Sequence, residues 1–215
     1  MVFKVSILFL LLLMKEKIKN TATELFLNLG FKSVTMDDIA HEMGISKKTI
    51  YTHFNNKTAL VSEVTSSLFC AISEGIDVIC SVEKNSIEEL YEIKRFVLEH
   101  LKNEKTSPLY QLQKYYPKIY ATLKKRQLEL MQDCVVENLT RGVNSGMYRE
   151  NINVDFVSRI YFVGVVGIKD NDLFPTNKFP MDVLMDEFLE YHLRGICTPK
   201  GLETLEKCIT TNQLS

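Results

Sequence analysis

The stretch from residue 35 to residue 57, TMDDIAHEMGISKKTIYTHFNNK, constrains the fold of this chain more than any other. Thr35 is a typical helix N-cap, and Asp38 follows at the spacing of a capping box, in which a carboxylate reaches back to a free backbone amide. Ile39, Ala40 and Met43 then fall on one helical face. Gly44 supplies the left-handed conformation that commonly ends a helix. The stretch therefore begins with a short helix and a tight turn.

A second short helix follows that turn. Ser46 is a suitable N-cap, and Ile50 and Phe54 are four residues apart, so both lie on one face. The other faces carry cations and hydroxyl groups, at Lys47, Lys48, Thr49, Tyr51, Thr52 and His53, with Lys57 just beyond. A helix, a glycine turn and a short polar helix form the pattern of a helix-turn-helix DNA-binding unit.

These residues closely resemble the N-terminal domain of TetR-family transcriptional regulators. The resemblance covers about residues 15–60 and rests on Leu29-Gly30-Phe31, Thr35 to Ala40, Gly44-Ile45-Ser46, Thr49 to Phe54 and Lys57 to Leu60. The rest of the chain resembles the family in length and helical character. The resemblance implies an N-terminal three-helix domain that binds DNA, followed by a helical domain that binds a ligand and dimerises.

Two groups of DNA contacts are predicted. Base edges and the phosphates beside the groove are assigned to Lys47, Lys48 and Thr49. The phosphate backbone is assigned to Thr35, Tyr51, His53 and Lys57. In TetR-like proteins the positions of Tyr51, His53 and Lys57 are typical backbone contacts. Ser46 and Thr52 complete the predicted site, although Thr52 is too small to decide much of the specificity.

Composition limits where these contacts can lie. The formal net charge is −1, so the chain has no overall basic field. Between Ser46 and Lys57, however, there are three lysines and no acid. Binding to phosphates requires positive charge only where the protein meets the DNA backbone. The distribution favours a site-specific DNA-binding protein over one that coats DNA.

The remaining pattern is helical throughout, which predicts an all-α fold. An amphipathic helix from Lys15 to Leu29 buries one stripe, consisting of Ile18, Ala22, Leu25, Phe26 and Leu29. It packs on the two short helices around Phe31, Val34, Ile39, Ile50 and Phe54. A long helix covers 57–81, and Ser86 and Glu89 have the spacing of a capping box that opens the next. Further helices are predicted over 110–116, 119–144, 153–167, 181–194 and 202–209.

The predicted domains are an apolar extension over 1–14, a helix-turn-helix domain over 15–60, and an effector-binding and dimerisation domain over 61–215. The apolar run from Val5 to Met14 is shorter than the about 20 residues that span a bilayer, and no small-residue cleavage site follows it. Our preferred hypothesis is that translation begins at Met14 and that no membrane is involved. An apolar N-terminal anchor or arm is the alternative. Five cysteines without a CxxC pair predict reduced thiols in a cytoplasmic protein.

Dimerisation is expected through the helices over 153–167 and 181–194, which are apolar on more than one side. One recognition helix offers few base contacts, each worth about 1–3 kcal/mol, so specific binding requires two copies. We therefore predict a homodimer on a palindromic double-stranded DNA operator, with half-sites about one helical turn apart or a multiple of it. Repression of transcription is what the resemblance implies.

The resemblance also implies that a small-molecule effector binds the second domain and shifts the protein between DNA-competent and incompetent conformations. Candidate pocket residues are aromatic or soft side chains, namely Tyr91, Phe96, His100, Tyr110, Tyr115, Tyr120, Met131 and Phe162. Few charged residues interrupt these helical faces. We therefore expect an apolar or amphipathic effector.

No catalytic motif accompanies this pattern. His41-Glu42 begins like the zinc-protease motif, but Ile45 stands where the second histidine is required. His100 and His192 are isolated on helices and are interpreted as surface or core residues. We therefore predict no enzyme activity, no cofactor and no metal. A helical protein–protein adaptor with a vestigial DNA-binding domain is the alternative function, and the intact basic helix argues against it.

Overall fold

The computed structural model describes residues 2–82, 84–101 and 108–213. Across these ranges the secondary structure is helical, with one isolated bridge between Tyr148 and Cys197 and no strand. The prediction of an all-α fold is therefore confirmed. The helices in order are α1 (Val2–Leu29), α2 (Met36–Glu42), α3 (Lys47–His53), α4 (Lys57–Ser81), α5 (Ser86–His100), α6 (Pro108–Tyr115), α7 (Pro117–Asn144), α8 (Val154–Gly167), α9 (Met181–Ile196) and α10 (Pro199–Gln213).

The chain divides into two compact units. The first unit comprises residues 1–70 and 104–123, and the second comprises residues 71–103 and 124–215. Each unit is built from two separate segments of the chain, whereas each domain predicted from the sequence was one continuous segment. As a consequence, α6 lies in the same unit as the helix-turn-helix.

The core of the first unit is formed by the long helix α1, the two short helices and the start of α4, with Leu112 of α6. The five predicted core residues of this domain are all buried, as are Ile18, Ala22 and Phe26 on α1. Leu29 was also expected on the buried stripe, but it is 59 % exposed, while Leu27 is buried. Leu29 is the last residue of α1, and Gly30 turns the chain with a φ of 90°. At such a helix end, periodicity alone does not decide which side chain is covered.

The first helix has no break at the predicted limit of the apolar extension. It runs from Val2 to Leu29, and the side chains of Phe9 to Leu13 are exposed. The side chains of residues 1–8 lie outside the described part of the structure. The start of translation at Met14 stays a prediction.

The helix α4 is, among the described residues, the one long and apolar enough to cross a membrane by length and composition. Core helices of water-soluble proteins satisfy the same test. In α4 the residues Leu60, Val61 and Val64 are buried in the core of the first unit.

The predicted capping box at Ser86 is wrong. The N-cap of α5 is Asn85, whose side chain accepts a hydrogen bond from the amide of Ile87, and Ser86 is the first residue of the helix. Glu89 does not reach back to the helix end, because its carboxylate is fully buried and accepts two hydrogen bonds from Arg141, each 2.6 Å long.

Asn138 completes this buried polar group in the second unit. Its amide nitrogen donates to the carbonyl oxygen of Ser86 and to Glu89 Oε1, both at 2.8 Å. Its oxygen accepts a hydrogen bond from the hydroxyl of Tyr148 at 3.1 Å. Buried polar groups are costly unless they are paired, so these contacts fix the relative positions of α5 and α7.

Candidate nucleic-acid interface

The first helix of the candidate interface is closed by the capping box that the sequence predicts. Thr35 Oγ1 accepts a hydrogen bond from the amide of Asp38 at 3.2 Å, and Asp38 Oδ2 accepts one from the amide of Thr35 at 2.7 Å. The Thr35 hydroxyl also donates to Asp38 Oδ2 at 2.8 Å, and the two hydrogen bonds from the amide and hydroxyl of Thr35 lower the pKa of the Asp38 carboxyl below its usual value. Thr35 is exposed at the start of α2, where a helix N-terminus attracts anions.

The turn between the two short helices depends on Gly44. Its φ is 63°, in the left-handed region that side chains disfavour, and no atom lies within 4 Å of where a Cβ would be. The next amide, of Ile45, donates to the carbonyl of Ala40 at 3.0 Å. A side chain at position 44 would therefore be strained by the backbone conformation and not by crowding.

The helix α3 is held by its apolar face. Ile50 is fully buried and Phe54 is 2 % exposed, both in the core of the first unit. The side chain of Ser46 caps the helix by accepting a hydrogen bond from the amide of Thr49 at 3.1 Å. The packed face and the cap together leave the polar face of α3 turned outwards.

That polar face is accessible. The exposed side chains are those of Lys47, Lys48, Tyr51 and Thr52. Even the large aromatic side chain of Tyr51 is 43 % exposed to solvent. His53 is half-buried at the end of the helix. The hydroxyl of Thr52 donates to the carbonyl of Thr49 at 2.6 Å, which directs this donor back into the helix.

Lys47 has a partner that the sequence analysis did not anticipate. Its ammonium lies 2.6 Å from Asp37 Oδ2, and this hydrogen bond raises the pKa of Lys47. Both side chains are exposed, so water screens the pair and it contributes little to stability. To bind a phosphate, Lys47 must leave Asp37.

Lys57 is the first residue of α4. Asn56 precedes it, and Asn56 Oδ1 accepts a hydrogen bond from the amide of Ala59 at 2.8 Å. The ammonium of Lys57 donates to the carbonyl oxygen of Lys32 at 3.2 Å and lies 5.9 Å from the ring centre of Phe26. Partial burial lowers the pKa of Lys57. A cation at the first turn of a helix adds to the positive helix end and favours an anion there.

A family model of bacterial regulatory proteins of the tetR family matches residues 18–64, which cover most of α1, both short helices and the start of α4. Over these residues the chain is similar to the TetR family. IcaR of Staphylococcus aureus strain Newman, a negative transcriptional regulator of the biofilm operon icaADBC, is 32 % identical over 79 residues, which cover 37 % of this chain and 42 % of IcaR. YerO of Bacillus subtilis, an uncharacterised HTH-type transcriptional regulator, is 47 % identical over 47 residues, which cover 22 % of this chain and 16 % of YerO. The chain therefore spans less than half the length of these relatives.

Solved structures of transcriptional regulators share the fold over most of the chain. A TetR-family regulator from Agrobacterium tumefaciens matches 86 % of this chain with 97 % of its own chain, at 18 % identity and a TM-score of 0.68. SmeT, the repressor of the Stenotrophomonas maltophilia multidrug efflux pump SmeDEF, matches 86 % of this chain with 91 % of its own chain, at 15 % identity and a TM-score of 0.64. At these identities the likeness concerns the fold alone.

The predicted effector-pocket residues are divided between the two units. Tyr110, Tyr115 and Tyr120 belong to the first unit, whereas the other five belong to the second. In the second unit Tyr91 is buried, and Met131 packs against the same core. Burial raises the pKa of Tyr91. The ring centres of Phe96 and His100 lie 4.1 Å apart with the ring planes tilted by 45°, so these two residues form one aromatic contact on α5.

The helices predicted to dimerise carry a row of exposed apolar side chains. On α8, Phe156, Ile160 and Val163 are 59, 46 and 62 % exposed at helical spacing. On α9, Val183 and Tyr191 are 51 and 80 % exposed. Exposed apolar groups of this extent on neighbouring helices are typical of association surfaces.

Proposed function

We propose that this protein is a sequence-specific DNA-binding transcriptional regulator that represses its target by occupying a palindromic operator. One observation carries the proposal. The helix α3 is packed through Ile50 and Phe54 in a family-matched domain and exposes Lys47, Lys48 and Tyr51 on its other side. A helix held in this way can enter the major groove with cations and a hydroxyl pointing at base edges and phosphates.

Within this interface Lys48, Lys47 and Thr49 are the proposed groove contacts. The proposed backbone contacts are Thr35, Tyr51, His53 and Lys57, and Ser46 and Thr52 complete the site, with Thr52 facing the groove. The separation is supported by position, since the first group lies in the first turn of α3, whereas the backbone contacts surround it at the N-cap of α2, on the rest of α3 and at the start of α4. Phosphate contacts would fix the orientation of α3, and the groove contacts would select the sequence.

We further propose that a homodimer is the active form. The exposed apolar row on α8 and α9 supplies a surface for a second copy, and a two-fold pair of α3 helices doubles the number of base contacts. IcaR and SmeT are repressors by name. Release by a small apolar or amphipathic effector bound in the second unit is the proposed mode of regulation, with Tyr91, Phe96 and Met131 as its first candidates.

The first experiment is a gel-shift titration of the purified chain on the intergenic DNA beside its own gene, over a series of salt concentrations. A saturable complex with a two-fold footprint, weakening steeply with salt, supports the proposal. Lys48→Ala should weaken specific binding by a factor of about 5–150, since one good base contact contributes about 1–3 kcal/mol. Lys125→Ala, on the exposed part of α7 in the second unit, is the matched control. Binding no tighter than to competitor DNA, after selection from the whole genome, would favour the adaptor alternative.

The homodimer is tested separately by placing a charge on the apolar row. Val163→Glu should convert the dimer to a monomer in light scattering, because a carboxylate at a dry interface would be desolvated without a partner. Val78→Glu, at a residue of α4 that is 66 % exposed, is the control for the charge change. Dimers of equal stability in both variants would place the interface elsewhere.

A further inference from the structure

Two of the five cysteines meet inside the second unit. Cys80 is the last residue but one of α4, and Cys134 lies on α7. Both are free thiols and both are half-buried. The thiol of Cys80 donates a hydrogen bond to the sulfur of Cys134. Sulfur atoms in hydrogen-bond contact need only a short approach to reach the bond length of a disulfide, which is about 2.05 Å.

The contact between the thiols follows from the way the end of α4 lies on α7. On α7, Cys134, Glu137 and Arg141 recur at steps of three and four residues, so they share one helical face. All three interact electrostatically with Cys80. On α4, Asp77 precedes Cys80 by one turn and interacts with Cys134 in the same way. One face of each helix therefore brings its cysteine to the other.

We propose that Cys80 and Cys134 form a dithiol that hydroperoxides oxidise to an intramolecular disulfide, which would tie the end of α4 to α7. The position of Cys80 favours this closure, because it lies in the last turn of α4, where the backbone carbonyls have no further partner within the helix. Adjusting the backbone there breaks fewer hydrogen bonds than in the middle of a helix. The inference goes beyond the proposed function and does not depend on operator binding.

The reaction has two steps. The thiolate of Cys134 attacks one oxygen of hydrogen peroxide, the O–O bond breaks, and the sulfur loses two electrons to become a sulfenic acid, with water as the first product. The thiolate of Cys80 then attacks this sulfur, the S–S bond forms, and the S–O bond breaks to release a second water. Cys134 is assigned the first step because the hydrogen bond from Cys80 favours its thiolate form.

The surroundings of the two thiols set how readily they react. Burial raises the pKa of both, that of Cys80 to about 12. Nearby carboxylates act in the same direction on one thiol or the other, and Arg141 opposes them at Cys80. These charged groups are Asp77 on α4, Glu89 on α5, and Asp133, Glu137 and Arg141 on α7. Because the thiolate is the nucleophile, the dithiol should stay reduced at low peroxide and close at higher concentrations.

The test is peroxide oxidation of the purified full-length chain. After timed exposure to hydrogen peroxide, free thiols are blocked with N-ethylmaleimide, and the digested protein is analysed by mass spectrometry without reduction. A peptide pair joined through Cys80 and Cys134 should appear and should be lost on treatment with dithiothreitol. Its rate of formation should rise about tenfold for each pH unit from 7 to 9, since the rate follows the thiolate fraction.

Two variants separate the pair from the other cysteines. Cys80→Ser removes the second thiol, so Cys134 should accumulate as a sulfenic acid that dimedone traps. Cys70→Ser, which changes an exposed cysteine of the first unit, is the matched control and should form the disulfide at the wild-type rate. Thermal unfolding of each reduced variant shows that it is folded.

The closed form should also be more stable. A disulfide between these positions closes a loop of about 50 residues in the unfolded chain, which should raise the Tm of the oxidised protein by up to about 15 °C. Oxidised Cys70→Ser should show the same rise, and Cys80→Ser treated in the same way should show none.

The outcomes are distinct. An intramolecular pair of Cys80 and Cys134 whose formation accelerates with pH supports the inference. Disulfides that join other cysteines or two chains overturn it, as does a wild-type protein in which the Cys134 sulfenic acid persists beside a reduced Cys80. A chain that binds no operator yet forms the disulfide overturns the proposed function and leaves this inference standing, and the reverse result does the opposite.

Discussion

The buried ion pair between α5 and α7 gives a prediction whose size follows from the structure. Replacing Arg141 by methionine removes both hydrogen bonds to Glu89 and leaves a carboxylate that is 1 % exposed with Asn138 as its described hydrogen-bond donor. Breaking a buried pair from one side costs about 3–5 kcal/mol. The Arg141 side chain is 36 % exposed, so water partly screens the loss, and we expect the lower limit of about 3 kcal/mol.

The assay is urea unfolding at pH 7, followed by circular dichroism, with thermal unfolding in parallel. For a chain of this size, 3 kcal/mol corresponds to a decrease in Tm of about 6–12 °C. Glu89→Gln/Arg141→Met should recover most of the stability, because a neutral amide can be buried beside Asn138 at lower cost. If the double variant is no more stable than Arg141→Met, the carboxylate is not what destabilises the single variant and the reasoning fails.

Three further predictions concern single side chains. Burial lowers the pKa of His192 to about 4. Between pH 6.5 and 4 the unfolded chain therefore binds a proton at this residue more readily than the folded chain does, and the free energy of unfolding should fall by up to about 3 kcal/mol as the pH falls through that range. Urea titrations at several pH values should show a flatter profile for His192→Phe. Gly75→Ala should lower the free energy of unfolding by about 1–3 kcal/mol, because the added Cβ would lie 2.0 Å from Phe96 Cζ. Thermal unfolding of Gly75→Ala and of Gly75→Ala/Phe96→Ala checks this, since the second change should relieve the overlap. Asp37→Asn should strengthen operator binding in gel shifts by freeing Lys47 and removing a negative charge near the phosphates, and unchanged binding would show that the pair does not compete with DNA.

The parts of the fold that could be predicted from sequence depend on contacts between residues close along the chain. Thr35 and Asp38 cap each other across three residues, and Gly44 meets a local backbone requirement. Ile50 and Phe54 fall on one face because a helix repeats every 3.6 residues. Local rules of this kind were enough to predict the position of the helix-turn-helix to within about two residues.

The error at Ser86 arose because a distant residue determined the outcome. Ser86 and Glu89 have the spacing of a capping box, but Arg141, 52 residues away, pairs with Glu89 instead. The same holds for α6, because Leu112 packs in the core of the first unit with residues that lie far from it in the sequence, such as Ile50. Neither contact has a signature in the spacing of nearby residues.

The two faces of α3 also bear on how such proteins diversify. The residues that hold the helix in place, Ile50 and Phe54, are different from those that face outwards at Lys47, Lys48 and Tyr51. In the function that we propose, mutations on the outward face therefore change the preferred operator without unfolding the domain. In a duplicated gene this surface is free to drift towards a new target, and in the laboratory it is the natural position for a randomised library.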